Sequence, residues 1–177
     1  MNPPVGSAAP PDRVMSPGDF DHALLATAIF EESNRVRAAH GVPPLAREPA
    51  LDSAADEQAV YLALALRAEH DNPFPGEHNA TERVARAGLQ GKVVAENAVM
   101  MPAQRPVGAP DRDYTYSAYA AFLLEGWMNS PGHRANLLNP GFKLSGCAAR
   151  FAHGVRPGDQ RVFATQVFYT PFAGKPE

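Results

Sequence analysis

Three places in this chain carry residues that could do chemistry. The first is the run Gly126-Trp127-Met128-Asn129-Ser130-Pro131-Gly132-His133-Arg134-Ala135-Asn136-Leu137-Leu138-Asn139-Pro140. Ser130 has the chemistry of a helix N-cap, and Pro131 suits the first helical position, where its missing N–H costs nothing. His133 then falls near the third position of a short helix. The positive end of the helix dipole opposes a second positive charge there. A neutral imidazole is the expected form, able to bind metal or accept a proton. The plainer alternative is a tight helix-to-helix corner with a solvated histidine.

The second place is Glu96-Asn97, inside the apolar run Val94–Val99. Strand interiors are depleted in both residue types. A buried carboxylate needs partners, because an unpaired one is too costly. Either Glu96 takes part in a reactive site, or the pair pins a neighbouring loop by hydrogen bonds. The third is Glu69-His70-Asp71, expected at the end of a helix, where the dipole favours protonated His70. A capping histidine is the alternative. His70, Glu96 and His133 converge only if a helix end, a strand and the corner helix meet at one cleft.

The elements that must position them follow from pattern. A helix is expected over Asp19–His40, with Leu25, Ile29, Glu32 and Val36 on one stripe and Gly41 as its stop. Gly41–Leu45 is a stiff linker. A second helix opens at Pro49 and runs to about Glu69. Asp71–Glu77 is a loop, Thr81–Ala87 a third helix closed by Gly88, and Val93–Met101 a strand. Met101–Asp113 is a long proline loop, the kind of segment that often carries function. Tyr114–Met128 makes a fourth helix, and Pro131–Leu138 forms the corner. Leu144–Phe151 and Arg161–Thr170 are strands joined by Gly154–Asp159. Both faces of the last strand are largely apolar, so both are expected to be covered, by helical layers on an antiparallel sheet.

Composition narrows the classes. The 177 residues fit one domain, and a net charge of −3 gives no footprint for nucleic acid or an anionic membrane. No apolar run approaches the ~20 residues that span a bilayer. Ten of the 18 prolines gather in the opening segment, the proline loop and the C-terminus. The single Cys147 excludes an internal disulfide and reads as a small buried hydrophobe. Met1–Gly18 lacks the basic start and apolar stretch of a secretory leader. An intracellular chain and one whose leader has been removed both stay open.

Several of these segments together resemble the CAP superfamily of cysteine-rich secretory, antigen 5 and pathogenesis-related proteins. The likeness is to its bacterial SCP-like extracellular branch. It rests on Asn34-x-x-Arg37 with Gly41-Val42-Pro43-Pro44-Leu45 and Leu51-x-x-Ala54. It rests also on His70, Gly76, Arg83-x-x-x-Ala87-Gly88 and Glu96-Asn97. Trp127–Arg134 matches the bacterial signature almost letter for letter, and Gly146 and Thr165–Phe168 resemble the closing hairpin. The resemblance covers roughly residues 20–170.

It implies an α+β fold, an α-β-α sandwich with a three- to four-stranded antiparallel sheet between helical layers. A Pro-rich flexible arm (1–18), a single domain (19–172) and a tail (173–177) complete the chain. It also implies a secreted or periplasmic location. The family's cleft holds two histidines and two acids, and His70, Glu96 and His133 match three of them. The fourth, a Glu three positions after the Trp, is Ser130 here; Glu77 and Glu125 are the candidates to replace it. His78 competes with His70 but lies too close to Arg83 for the family pattern.

Three functions follow as expectations. One is a secreted module binding a lipid or cell-envelope component, in a cleft rimmed by Met100, Met101 and the proline loop. Another is a metal-assisted hydrolase of peptide or envelope polymer, with Zn²⁺ on His70 and His133 beside Glu96. In its metal-free form His133 is a base oriented by Glu96; Ser130 is a conceivable nucleophile, but its capping role already explains it. The last is a protein-interaction module presenting Met101–Asp113.

Overall fold

The computed structural model describes residues 13–154, 156 and 158–172. The elements, in chain order, are α1 (His22–Ala39), β1 (Ala46–Arg47), α2 (Pro49–Ala65), α3 (Ala80–Arg86) and β2 (Gly91–Pro102). They continue with α4 (Tyr116–Met128), α5 (Pro131–Leu137), β3 (Leu144–His153) and β4 (Gln160–Pro171). The caps are local chemistry. Asp21, Asn79 and Thr115 each accept a backbone N–H of the first turn of α1, α3 and α4.

The sheet runs in the order β1-β3-β4-β2. The three long strands are antiparallel, as the sequence implies. The fourth member is the two-residue β1, which pairs parallel to β3 through Ala46↔Leu144 and Arg47↔Ser145, so the sheet is mixed. Two residues flanked by a proline linker and a helix cap carry no strand pattern to read.

Both faces of β4 are covered. Val162, Ala164 and Phe168 pack with α1 and α4, while Phe163, Val167 and Tyr169 pack beneath α2. α1 departs from the expected stripe. Its fully buried line is Leu25, Ile29, Ser33 and Arg37, whereas Glu32 and Val36 lie beside it. Ser33 is satisfied by the Ile29 carbonyl and Gln166. Arg37 has no acid partner among the described residues; it donates to the carbonyls of Pro43, Leu137 and Asn139, and burial lowers its pKa. It thereby ties α1 to the end of α5. Cys147 is buried as expected, and burial raises its thiol pKa.

α2 stops four residues short of the expected Glu69. Leu66 adopts a left-handed conformation (φ 54°, ψ 36°) and returns its N–H to the Leu62 carbonyl. Of the arm expected over 1–18, residues 13–18 are docked: Met15 is buried, and Val14 bridges to Thr115. Residues 1–12 and the tail 173–177 lie outside the described residues. Among the described residues no helix is long and apolar enough to cross a membrane.

Candidate functional site

β2 is an edge strand, and the three expected residues gather along that edge. Neighbouring residues of a strand point to opposite faces. Glu96 therefore turns to the α2–α3 side and Asn97 to the α4–α5 side. The loop after α2 brings His70 to Glu96 from one side, with Nδ1 3.0 Å from Oε1. From the other side α5 brings His133, whose ring centroid lies 6.3 Å from that of His70.

Glu96 is nearly enclosed, with its side chain 4% exposed, and its second oxygen accepts from Arg83, which is wholly buried on α3. Arg83 also donates to the Glu77 carbonyl at 2.8 Å. The carboxylate thus has the partners its burial demands. Asn97 does what the pinning alternative describes: its Nδ2 donates to the His133 carbonyl at 3.0 Å. Asn136 Nδ2 donates in turn to Asn97 Oδ1 at 3.0 Å and to the Glu96 carbonyl at 3.3 Å, closing the edge of β2 onto α5.

The two histidines are pushed in opposite directions. The hydrogen bond to Glu96 raises the His70 pKa, against a smaller opposing effect of burial. Burial lowers that of His133, and the neighbouring His70 charge adds to it. For His133 this is the direction expected from sequence, with desolvation as the main cause in place of the helix dipole. For His70 the helix-end argument fails, because α2 has already ended at Ala65. Glu96 supplies the effect instead.

The remaining candidates sit elsewhere. Ser130 occupies the N-cap position of α5 without making a side-chain capping bond. The Glu77 carboxylate is taken up by Arg86 and Asn72. His78 is bonded to the Asn72 carbonyl and shapes its own loop. Sequence reasoning missed Asn136 as a clasp, although its place three residues after His133 put it on the same helical face. It also missed Arg83 as the partner of Glu96.

A metal does not fit this donor set well. Both Glu96 oxygens are spent on Arg83 and His70, which leaves two imidazoles. A catalytic Zn²⁺ takes three protein ligands. Among the described residues no group of three or more His, Cys, Asp or Glu side chains is arranged to hold a metal ion.

The expected rim of Met100, Met101 and the proline loop does not form. Consecutive strand residues face opposite ways: Met101 packs toward Gly126 on α4, and Met100 toward Leu66. The loop folds on itself, with Arg105 3.9 Å over the Tyr114 ring and bonded to the carbonyls of Asp111 and Asp113. A groove of about 750 Å³ lies between α1 and α4. Val36, Ala121, Phe122 and Met128 line it, and Arg35 and Glu125 stand at its rim. It contains none of His70, Glu96 and His133.

The family model for cysteine-rich secretory proteins (CAP) matches residues 30–168. Among solved structures the chain is similar to an extracellular protein containing an SCP domain from Bacillus anthracis. That match has a TM-score of 0.61 and 24% identity, over 84% of this chain and 41% of that one. An outer surface protein of Borrelia burgdorferi gives 0.59 and 15%, over 83% and 92%. A cysteine-rich secretory protein of Staphylococcus aureus gives 0.53 and 19%, over 84% and 39%. The chain thus spans about two fifths of the Bacillus and Staphylococcus proteins. At these identities the likeness is one of fold. The sequence has no match among curated proteins.

Proposed function

The chain belongs to the CAP family of cysteine-rich secretory proteins, and on that premise we propose that it is an exported module that binds a lipid or another apolar cell-envelope component. The observation that carries this reading is the groove between α1 and α4. Its floor of Val36, Phe122 and Met128 suits an acyl chain, and Arg35, His40 and Glu125 at its margin suit a polar head. Methionine and aromatic side chains adapt to apolar ligands of varied shape. The fold shared with an extracellular Bacillus protein and a Borrelia outer surface protein supports a place outside the cytoplasm.

Titration with a fluorescent fatty acid tests it. Saturable binding is expected, weakened at least about tenfold by Ala121→Trp, which fills the groove without emptying the core. Equal affinity in that variant would remove the reading.

The opposed shifts of His70 and His133 favour a second reading, hydrolysis of a peptide or envelope polymer. Groups whose environments push their pKa values apart are suited to act as acid and base. His133, its pKa lowered by burial, is suited to take a proton from water, and His70, its pKa raised by the bond to Glu96, to deliver one to the leaving group. No step requires a metal. A substrate screen with and without chelator, repeated on Glu96→Gln and His133→Ala, decides it. Turnover that survives chelation and disappears in both variants is the expected pattern, and absence of turnover leaves binding alone.

A further inference from the structure

Past the end of α2 the sheet continues beyond the helix. β2 runs on to Pro102, and the β3–β4 hairpin projects beyond it. A depression of about 500 Å³ lies there, floored by Leu66 and Met100 and walled by Arg156, Asp159 and Arg161 of the hairpin. It shares no residue with the histidine cleft or with the groove between α1 and α4, and nothing below depends on the function proposed for either.

Three features mark it as built. Leu66 is the one non-glycine residue with positive φ among the described residues. Glycine or asparagine would close α2 there with less strain. The leucine packs, with Met100, against the cluster of Tyr61, Leu62, Ala98 and Phe163, and both line the depression. The far wall is locked as well. Arg161 Nε donates to Asp159 Oδ1 at 2.5 Å, and the Gly154 N–H donates to the Asp159 carbonyl at 2.6 Å. A Cβ on Gly154 would stand 2.2 Å from an Asp159 oxygen, so a side chain there would displace that of Asp159. Finally, the Arg161 charge is answered by Asp159, whereas Arg156 is exposed and has no ion pair among the described residues.

A fixed apolar floor beneath a single unanswered cation is the complement of one ligand type. We infer that this depression binds a small amphiphilic anion in free solution. Its apolar body lies on Leu66 and Met100, and its carboxylate, phosphate or sulfonate meets Arg156.

The probe is 1-anilinonaphthalene-8-sulfonate, an aromatic body with one sulfonate, titrated by fluorescence against the full chain. The expected result is a saturable site distinct from any binding in the groove between α1 and α4. Arg156→Ala should weaken it about tenfold through loss of the charge-assisted contact. Leu66→Asn should weaken it about tenfold through loss of apolar floor, since asparagine keeps the left-handed backbone. Ala121→Trp, which fills the other groove, should keep this site at unchanged affinity. Arg156 sits on an exposed turn, so its variant cannot fail by unfolding, and a melting curve checks Leu66→Asn. The proposal is overturned if the parent does not bind. It is equally overturned if Arg156→Ala or folded Leu66→Asn binds as tightly as the parent, or if Ala121→Trp abolishes binding. Loss of fatty-acid binding in Ala121→Trp with this probe unaffected would separate the two sites.

Discussion

The Nδ1 of His70 stands 3.0 Å from Oε1 of Glu96, and that contact sets the proton balance of the whole edge. It raises the folded pKa of His70, while burial and the His70 charge lower that of His133. A raised folded value stabilises below the unfolded imidazole pKa of about 6.5, and that gain is lost as pH rises through the folded value. A lowered folded value stabilises above about 6.5, and that gain is lost as pH falls toward the folded value. Removing His70 should therefore flatten the alkaline side of the stability–pH curve, and removing His133 the acid side. Histidine titration by NMR should place His70 above the ordinary range and His133 below it. In Glu96→Gln the His70 value should fall; a His70 unmoved by that change would sink the account.

Arg83 is predicted to matter more for stability than any exposed ion pair in the chain. Its side chain is fully buried and that of Glu96 is 4% exposed. Arg83→Met leaves Glu96 without its strongest partner and should cost about 3–5 kcal/mol, the usual price of breaking a buried pair from one side. Replacing both, as Arg83→Met with Glu96→Leu, should restore most of the loss. Urea denaturation measures both. A single variant within about 1 kcal/mol of the parent would mean that water already reaches the carboxylate.

Much of this arrangement could be read before the coordinates. The likeness to the CAP pattern pointed to His70, Glu96 and His133, and the strand and helix periods located every long element to within a few residues. The reach of α2 was not readable, because nothing in Ala65-Leu66-Arg67 announces a left-handed leucine. Nor was the buried line of α1: Ser33 and Arg37 are polar, and only their tertiary partners, Gln166 and the carbonyls near α5, make burial affordable. The misplaced rim is a different case. Met100 and Met101 adjoin in a strand, and the two-residue period alone forbids both from lining one cleft.

Two glycines give opposite expectations. A Cβ on Gly146 would lie 2.1 Å from the Asp52 nitrogen and the Leu51 carbonyl carbon, both backbone atoms of α2. Gly146→Ala should push α2 off β3 and cost at least about 3 kcal/mol, at the upper end of overpacking penalties. A Cβ on Gly126 would meet only the terminal methyl of Met101, at 2.5 Å, which can swing aside. Gly126→Ala should also gain about 1 kcal/mol of helix propensity in α4. Its melting temperature should equal or exceed that of the parent. A destabilised Gly126→Ala would show that Met101 is fixed in place.

Zinc tests how Glu96 is used. With both carboxylate oxygens committed, this edge of β2 offers the metal the imidazoles of His70 and His133. Calorimetry should find weak binding, lost in His70→Ala or His133→Ala and fading as pH falls and the ligands protonate, His70 before His133. Arg83→Met releases one Glu96 oxygen and makes a third donor available. Although less stable, that variant should gain more from zinc, visible as a larger rise in melting temperature at the same metal concentration, because stabilisation grows with affinity. Tight zinc binding in the native chain, indifferent to both histidine changes, would place the metal elsewhere. A zinc response in Arg83→Met no greater than in the parent would show that the arginine does not withhold the carboxylate.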